Sequence, residues 1–467
     1  MLYVPDTFDE ALDERGEPRP AYADVIPALL EHDLEPISER IGDFFDRQGV
    51  KFESEEGSLE FHVDPVPRIL TAEEWELLER GLRQRADAIN LFIRDVYSGQ
   101  KIVREGRIPA RVIETAEYFE PEMVGVELPE RPAAVIGFDV VRGEQGKFAV
   151  LEDNCRTPSG MAYMLAARNA IDTFVPLTPP SERRDTLLLV EALDRALRAA
   201  APRGDGDPAI ALLTDGPENS GWFDHQELAA RLGVPLVTGG DLETREGRLY
   251  ATVGEKKGEV HVLYRRTDDE GLRDHDGNPT WLSELLLEPI RRGNLSLICS
   301  FGTGVADDKL SHVYVEEMIR FYLDAEPILP SLRSYDLSVD AVRDEVIDRI
   351  EEMVVKPRAL LGGKGVVIAD SEDESDVDRT IREVRDQPED FIAQEKVMLS
   401  THPTYRDGAL RPRHVDLRIF ALGEEVAPAA LSRVALDEGS LIVNSSQGGG
   451  AKDTWVLAEP GAGGSIA

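Results

Sequence analysis

Three residues with oxygen-bearing side chains, Asp139, Glu152 and Asn154, follow two neighbouring apolar segments of the chain. Glu152 and Asn154 follow the run that begins at Phe148, and because side chains i and i+2 share one face of a strand, they point the same way. Asp139 follows the upstream run 133–138, and glycines between the two runs predict a hairpin. Carboxylate and amide oxygens are ligands suited to Mg²⁺. The pattern is compatible with a magnesium site, and ordinary polar residues at strand ends are the alternative.

Lysine is scarce, with ten among the 52 basic residues, so a lysine inside a motif stands out. Lys356 ends an apolar strand, and Gly362, Gly363 and Gly365 follow it before another apolar run. A strand-end lysine with a glycine-rich hairpin can cover a polyphosphate, because backbone N–H groups and the ammonium offset its charge. The segment therefore predicts a flexible phosphate-covering loop.

A second lysine, Lys309, begins the helix predicted after a loop that contains Gly302 and Gly304. Glycines at such positions let the backbone approach a ligand closely. The loop is not a Walker A motif, because the GK[ST] ending is absent. A solvated helix residue is the alternative interpretation of Lys309.

Further polar groups lie on strands predicted near the end of the chain. The strand predicted at 391–397 ends in polar residues, which could contact the edge of an adenine ring. Asp416 and Arg418 lie on one face of a later strand by their two-residue spacing. A cationic group, an amide and a second glycine loop follow, namely Arg433, Asn444 and residues 447–452. A purely structural domain has little reason to assemble all of these groups.

The elements around these residues indicate an α+β or α/β protein of several domains. We expect a mostly helical region at 1–115, where Thr71 and Glu74 form a capping box and 61–70 is a proline-broken connector. The acid-bearing strands and helices at about 161–173 and 181–200 occupy the predicted unit 116–200. Nucleotide-binding lobes are expected at 301–460, with a flexible tail at 461–467.

Residues 205–300 alternate strand and helix, which predicts a small parallel α/β domain inserted between the other units. Loops at its strand ends, and one loop farther along the chain, are candidate substrate contacts; they comprise residues 215–221, 265–269 and 400–407. A surface ion pair is the alternative interpretation of the two arginines Arg265 and Arg266.

Composition limits the possible functions. A chain of 467 residues is too long for one compact core, and no apolar stretch reaches the roughly 20 residues that span a bilayer. The net charge of −38 argues against binding nucleic acid or an anionic membrane surface. Two cysteines cannot build a disulfide framework, and the first residues do not form a secretory signal. A cytoplasmic location is expected.

The chain resembles the circularly permuted ATP-grasp proteins of type 2, relatives of glutathionylspermidine synthetase and eukaryotic glutathione synthetase. The matching blocks run from about Phe61 to Leu457 and include HVDPVPRILTAEEW, VLEDNCRTPSGMAYML, GTGVADDK, VVKPRALLGGKGVVIA, RHVDLRIFAL and SLIVNSSQGGGAKDTWVL. The resemblance implies a permuted ATP-grasp fold with an inserted pre-ATP-grasp-like α/β domain. It also explains why the acidic strands precede the lysines here.

The resemblance implies ATP and Mg²⁺ as cofactors and assigns roles residue by residue. The implied metal ligands are Asp139, Glu152 and Asn154; the implied nucleotide contacts are Lys309, Lys356, Gly362, Gly363, Gly365, Gln394, Glu395, Val397, Asp416 and Asn444. One departure is Gly137, since many ATP-grasp ligases carry an arginine two residues before the first metal aspartate. Arg156, Arg418 and Arg433 are the implied catalytic residues and the candidates to replace it.

The implied reaction joins a small-molecule or peptide carboxylate to an amine through an acyl phosphate, with phosphate transfer from ATP. Two alternatives stay open, a small-molecule kinase and a non-catalytic ATP-binding partner of a larger assembly. The identity of the carboxylate and the amine is not encoded in any motif of the sequence.

Overall fold

The computed structural model describes residues 2–54, 57–202, 207–267, 271–358, 365–368, 374–441, 443 and 449–459. The α-helices are α1 (Val25–Leu30), α2 (Glu35–Gln48), α3 (Ala72–Val96), α4 (Lys101–Arg104), α5 (Arg111–Glu114), α6 (Met161–Phe174), α7 (Leu188–Ala199), α8 (Trp222–Leu232), α9 (Trp281–Arg291), α10 (Lys309–Val313), α11 (Val315–Leu323), α12 (Asp340–Asp348) and α13 (Glu374–Asp386). Short 3-10 helices include Thr303–Ala306, directly before α10.

The strands are β1 (Lys51–Ser54), β2 (Gly57–Glu60), β3 (Val63–Leu70), β4 (Val135–Arg142), β5 (Phe148–Asn154), β6 (Ile210–Thr214), β7 (Leu236–Val237), β8 (Leu242–Arg245), β9 (Arg248–Val253), β10 (Lys256–Val260), β11 (Val262–Arg266), β12 (Ser296–Ile298), β13 (Ser334–Asp336), β14 (Met353–Pro357), β15 (Val367–Ile368), β16 (Phe391–Glu395), β17 (Thr401–Arg406), β18 (Ala409–Leu422), β19 (Glu425–Val434) and β20 (Gly450–Val456). The mixture of helices and sheets confirms the predicted fold class.

A seven-stranded sheet is the largest sheet among the described residues. Its strand order is β3-β20-β19-β18-β4-β5, with β17 also paired to β18, and only the β20–β3 pair is parallel. Along β18 the side chains alternate between faces, so Leu417 and Ile419 join the hydrophobic core that contains α3. Phe420 and Leu422 join the core that contains α6 and α7. The sheet is therefore covered by helices on both faces, which explains its almost continuous apolar strands.

The inserted unit has a fully parallel sheet of order β12-β11-β6-β7, as the alternating pattern predicts. An antiparallel three-stranded sheet, β10-β9-β8, accompanies it. The segment predicted as one strand from Val260 to Arg265 is divided, because β10 ends at Val260 and β11 begins at Val262. The backbone N–H of the intervening His261 donates to the carbonyl of Ala209 at 2.8 Å.

A third unit carries Lys356 on an antiparallel sheet of order β13-β16-β14-β15. It has a small core of its own, which comprises Tyr335, Leu337, Val346, Met353, Val355, Val384 and Ala393. Strands β14 and β16 are in register with Val354 opposite Gln394 and Lys356 opposite Ile392. This register fixes the relative positions of the polar groups on the two strands.

Two predicted elements differ from the structure. Residues 63–70 form the buried strand β3 at one edge of the large sheet, and an edge position explains why its prolines are tolerated. The helix predicted from Ser181 begins only at Leu188. Before it, Arg183 pairs with Asp172 at 2.6 Å and the N–H of Arg184 donates to the carbonyl of Val456. These tertiary contacts hold 181–187 in a non-helical path. The capping box at Thr71 and Glu74 is confirmed.

Candidate functional site

The hairpin of β4 and β5 brings the three predicted metal ligands together. Asp139 lies directly opposite Glu152, and Gly137 lies opposite Asn154. Opposite residues of an antiparallel pair share a face, so the side chains of Asp139, Glu152 and Asn154 project to the same side of the sheet. The Asn154 amide nitrogen donates to the carbonyl of Gly137 at 3.1 Å. This bond orients the amide with its nitrogen toward the backbone.

Asp139 is held by two arginines from the neighbouring strands. Arg418, its register partner on β18, donates from Nη2 to Asp139 Oδ2 at 3.0 Å and from Nε to the other carboxylate oxygen. Arg433 Nη2 lies 3.2 Å from Asp139 Oδ1. Burial alone would raise the pKa of Asp139, but the two guanidinium groups outweigh it and hold that pKa below its usual value.

Arg433 in turn pairs with Asp416, its register partner on β18. Its Nε donates to Asp416 Oδ1 at 2.8 Å, and Asp416 is fully buried. The two predicted site residues Asp416 and Arg433 therefore form a buried pair beside Asp139, on the same face of the sheet.

Side chains of two other residues fill the space beside Gly137. A Cβ atom at this position would lie 2.7 Å from Pro158 Cβ, 3.2 Å from Arg418 Cδ and 3.3 Å from Arg418 Nη1. The side chain of Arg418 thus occupies the space beside residue 137. A guanidinium is present next to Asp139 although residue 137 is glycine.

Both predicted nucleotide lysines line one narrow cleft with Glu152. Lys309 Nζ lies 3.3 Å from Glu152 Oε1, and the Lys356 ammonium donates to the side-chain oxygen of Gln394. The cleft is lined by Leu151, Glu152, Asp153, Asp307, Lys309, His312, Lys356, Ile392 and Gln394. Burial lowers the pKa of Lys356 to about 8, and the nearby Lys309 adds to the effect. An anion that enters the cleft would therefore stabilise the protonated form of Lys356.

Gln394 connects the lobe of β14 and β16 to the β4–β5 hairpin. Its amide nitrogen donates to Ser334 Oγ at 2.9 Å and to the carbonyl of Leu151 at 3.2 Å. Its oxygen accepts from Lys356. Gln394 thus orients Lys356 toward β5, the strand that carries Glu152.

A buried ion pair that the sequence reasoning missed links the two lysine-bearing elements. Arg358 follows Lys356 by two residues and donates from Nη2 to Asp308 Oδ2 at 2.8 Å and from Nε to Asp308 Oδ1 at 3.1 Å. Asp308 is also the N-cap of α10, where its side chain accepts from the N–H of Leu310. The pair joins the end of β14 to the start of the helix that carries Lys309. The sequence signals for it were an arginine two residues after Lys356 and an aspartate directly before Lys309.

The predicted catalytic residue Arg156 packs against the glycine loop before α10. Its Nε donates to Asp307 Oδ2 at 2.9 Å, and its guanidinium lies 3.6 Å from the centre of the Tyr118 ring. A Cβ at Gly304 would lie only 2.9 Å from Arg156 Cδ, so glycine is required for this close approach. In these contacts Arg156 orders the loop that leads to Lys309.

The remaining predicted nucleotide contacts are only partly described. Glu395 accepts from Tyr335 Oη at 2.7 Å and lies 3.4 Å from Arg333 Nη1. Strand β16 ends at Glu395, so Val397 follows it in a loop, next to Gly143. Gly365 has a left-handed φ of 67°, which favours glycine. Gly362, Gly363 and Asn444 lie outside the described residues, and these three assignments stay predictions.

One loop of the inserted unit reaches the central sheet. Arg266, at the end of β11, donates to the carbonyl of Pro158 at 2.7 Å and to Ser159 Oγ at 2.6 Å. The carbonyl of Ser159 lies 3.4 Å from Arg418 Nη1. Ser159 is therefore held between an arginine of the α/β unit and the arginine that binds Asp139. Of the predicted contact loop 265–269, residues 268 and 269 lie outside the described part of the chain.

The donor set suits Mg²⁺, which prefers hard oxygen ligands and accepts further oxygens from a nucleotide. Two carboxylates and one amide share a face, and each carboxylate already faces a cationic side chain that a metal with phosphate could replace. No group of three or more histidine, cysteine, aspartate or glutamate residues suited to a metal occurs in the described ranges. The predicted set is compatible with that finding because its third member is an asparagine. Within those same ranges, no helix has the length and apolar character needed to cross a bilayer.

Comparisons with known proteins identify the family of the chain. A family model described as circularly permuted ATP-grasp type 2 matches residues 67–435. An uncharacterised protein of Mycobacterium tuberculosis strain H37Rv is 39% identical over 97% of this chain and 84% of its own length. A Frankia alni protein with the provisional name glutamate–cysteine ligase 2-3 is also 39% identical, over 97% of this chain but 54% of its own length.

Among solved structures, the apo form of a glutathione synthetase-like effector from Globodera pallida is similar in fold. The TM-score is 0.55, with 11% sequence identity, and the match covers 91% of this chain and 97% of the effector. At this level of identity the likeness concerns the fold alone. It agrees with the mixed α and β architecture described above.

Proposed function

The chain belongs to the circularly permuted ATP-grasp type 2 family, and from this premise we propose that it is an ATP-dependent ligase that joins a carboxylate to an amine. The observation that carries the proposal is the shared cleft of Lys309, Lys356 and Glu152, at the open end of the β4–β5 hairpin. A cleft with two lysines beside hard oxygen ligands is suited to a nucleotide polyphosphate. The arrangement supports ATP as the phosphoryl donor.

In the proposed reaction a substrate carboxylate oxygen attacks the γ-phosphorus of ATP, the bond to the β-γ bridging oxygen breaks, and ADP leaves. Lys309 and Lys356 would stabilise the charge that spreads over the phosphate oxygens. Asp139, Glu152 and Asn154 would hold Mg²⁺, which would neutralise phosphate charge and orient the polyphosphate. Gln394 would keep Lys356 aimed into the cleft through its bonds to Leu151 and Ser334.

The product of this step is an acyl phosphate, whose carbonyl carbon an amine attacks with release of inorganic phosphate. Arg418 would bind the acyl-phosphate oxygens, because its guanidinium lies next to Gly137 and to the carbonyl of Ser159. In the absence of ligands it pairs with Asp139. We propose that Arg418 exchanges this partner for the substrate when Asp139 binds Mg²⁺, and that Arg433 stays with Asp416.

The same contacts support a place of entry for the substrate. Arg266 and Ser159 connect the inserted unit to the Arg418 side of the hairpin, so the carboxylate substrate would enter between these units. The Frankia alni name supports an amino acid or a small peptide as the carboxylate, but that protein is nearly twice as long as its matched part. We therefore propose a small carboxylate and a small amine, with a cytoplasmic location and no nucleic-acid partner.

A hydroxylamine trap tests the proposal. The protein is incubated with Mg-ATP, hydroxylamine and a pool of amino acids, short peptides and other carboxylates, and the products are identified by mass spectrometry. A hydroxamate that forms together with ADP supports acyl-phosphate ligation and identifies the carboxylate. Lys356→Met and Glu152→Gln should abolish the signal, whereas Lys147→Met, an exposed lysine in the β4–β5 turn, should not.

Other outcomes separate the alternatives. A stable phosphorylated product without hydroxamate would indicate a kinase. ATP binding without any turnover over the whole carboxylate pool would favour a nucleotide-binding partner of a larger assembly. Turnover that is unchanged in Glu152→Gln would contradict the proposed metal-binding role of the hairpin.

A further inference from the structure

His312 is a buried histidine on the wall of this cleft. It lies outside the sequence motifs described above. It lies on α10, three residues after Lys309, and its side chain lines the cleft together with both lysines. Residues three apart lie on the same side of a helix, so His312 and Lys309 approach the cleft together. Only 3% of the residue is exposed. Such a position is shielded from bulk solvent.

The two ring nitrogens of His312 have different surroundings. Nδ1 lies 2.8 Å from Asp153 Oδ2, whereas Nε2 is buried without a hydrogen-bond partner among the described residues. A buried polar atom without a partner costs free energy, and the cost is recovered if a ligand supplies the partner. The unpaired nitrogen is therefore the feature that requires an explanation.

The orientation of His312 is fixed by a second buried pair. Arg85 Nη2 donates to Asp153 Oδ2 at 2.7 Å and lies 3.1 Å from His312 Nδ1, and Arg85 Nη1 donates to Ser331 Oγ at 2.8 Å. Asp153 and Arg85 are each about 1% exposed in their side chains. The carboxylate of Asp153 accepts the Nδ1 proton, so the ring cannot rotate without breaking this contact. Nε2 is thereby directed away from Asp153.

We propose that His312 is a third side-chain ligand of the nucleotide polyphosphate, in addition to Lys309 and Lys356. A phosphate oxygen can only accept a hydrogen bond, so Nε2 would donate to it while Nδ1 donates to Asp153. Burial lowers the pKa of His312 in the free protein although Asp153 opposes this shift, so the charge of the phosphate, together with that of Asp153, would stabilise the ring with protons on both nitrogens. The inference rests on the proposed nucleotide site and adds a residue to it.

Asparagine and glutamine at position 312 form a matched pair of test variants. The amide of glutamine extends about as far as Nε2 and can still donate, whereas the shorter asparagine reaches only the Nδ1 position. We expect His312→Asn to weaken binding of Mg-ATP and Mg-ADP about tenfold to a hundredfold, as for the loss of a hydrogen bond to a charged group. His312→Gln should recover part of the affinity. Binding of AMP should change much less, because AMP lacks the β- and γ-phosphates.

The measurement is isothermal titration of the full chain with ATP, ADP and AMP in the presence of Mg²⁺. Thermal unfolding of each variant verifies that it is folded, and His275→Asn, an exposed histidine of the inserted unit, is the control. Equal affinities of wild type and His312→Asn would overturn the inference, and the proposed nucleotide site would stand if Lys356→Met still weakens binding. A loss that is the same for AMP as for ATP would also overturn it, since the contact would then be to the nucleoside. A wild-type protein that binds no nucleotide would overturn both proposals.

Discussion

The side chain of Arg418 lies against the backbone of Gly137, with Cδ and Nη1 only 3.2 and 3.3 Å from the position that a Cβ atom would take. The two residues are on adjacent strands, and Arg418 is the register partner of Asp139, two residues after Gly137. Glycine at 137 therefore makes room for an arginine that comes from β18.

Gly137→Ala should destabilise the protein, because the new methyl group would lie 2.7 Å from the rigid ring carbon Pro158 Cβ. Overpacking of this kind costs about 1–3 kcal/mol of unfolding free energy, which urea denaturation measures. Gly42→Ala is the control, since a Cβ there meets nothing within 4 Å on helix α2. That control should leave stability unchanged or raise it by up to about 1 kcal/mol. Equal effects of the two variants would contradict the close packing at Gly137.

Arg418→Met should reduce ligation by about 10²–10³-fold in kcat while leaving ATP binding nearly unchanged, as removal of one group that stabilises a developing anion does. The reason is that Arg418 would contact the acyl phosphate, whereas the lysines of the cleft hold the nucleotide. Hydroxamate formation under saturating ATP measures kcat. Arg411→Met, at an exposed position of the same strand, is the matched control. A large loss of ATP affinity with unchanged kcat would assign Arg418 to the nucleotide instead.

Binding of ATP should be coupled to proton uptake at Lys356, whose pKa is lowered to about 8 by burial. Below pH 8 the free protein carries the ammonium, but above it most molecules must take up a proton before the phosphates are bound. Affinity should therefore fall about tenfold per pH unit above pH 8, as long as the lysine in the complex stays protonated. Calorimetry at pH 8.5 in two buffers of different ionisation enthalpy measures the uptake. The uptake should decrease in Lys356→Met and stay unchanged in Lys147→Met. Uptake that remains in Lys356→Met belongs to another group such as His312, and equal uptake in the two variants would contradict the role of Lys356.

The Arg358–Asp308 pair should couple the two lysines energetically. Arg358→Met alone leaves a buried carboxylate at Asp308 and should cost about 3–5 kcal/mol of stability. The double variant Arg358→Met, Asp308→Asn should be more stable than the sum of the two single losses of unfolding free energy predicts, because no buried charge is left unpaired. Urea denaturation of the four proteins of this cycle gives the coupling free energy. Additive losses would show that the pair does not link β14 to α10.

The sequence was sufficient to predict the local parts of the site. The shared face of Glu152 and Asn154 and the hairpin to Asp139 follow from strand geometry, which also directs Asp153 to the opposite face, where it contacts Arg85. The pairs Arg418–Asp139 and Asp153–His312 could not be predicted, since their members are 279 and 159 positions apart. Such contacts depend on the register of strands and on tertiary packing, which no local pattern encodes. The same holds for the prolines of β3, which are compatible with a strand only because it lies at an edge.

Acid should destabilise the fold through His225, a buried histidine of the inserted unit. Its Nδ1 lies 2.9 Å from Thr214 Oγ1, and burial, together with Arg266, lowers the pKa of His225 to about 2. In the unfolded chain a histidine titrates near pH 6.5, so below that pH the unfolded state binds a proton that the folded state does not. Stability must therefore fall with pH, and this group contributes about 1.4 kcal/mol per pH unit between roughly pH 6 and 3.

His225→Asn removes this proton difference. The variant should be less stable than wild type at pH 8, because the packing around the ring is lost, and the gap should shrink by about 1.4 kcal/mol for each pH unit below 6. Urea denaturation at pH 8, 6, 5 and 4 measures both proteins, and His275→Asn should follow the wild type at every pH. A gap that stays constant from pH 8 to 4 would mean that the folded protein also protonates His225. In that case Arg266 and burial would not keep the ring neutral, and the contact between Arg266 and Ser159 would have to tolerate a second positive charge beside it.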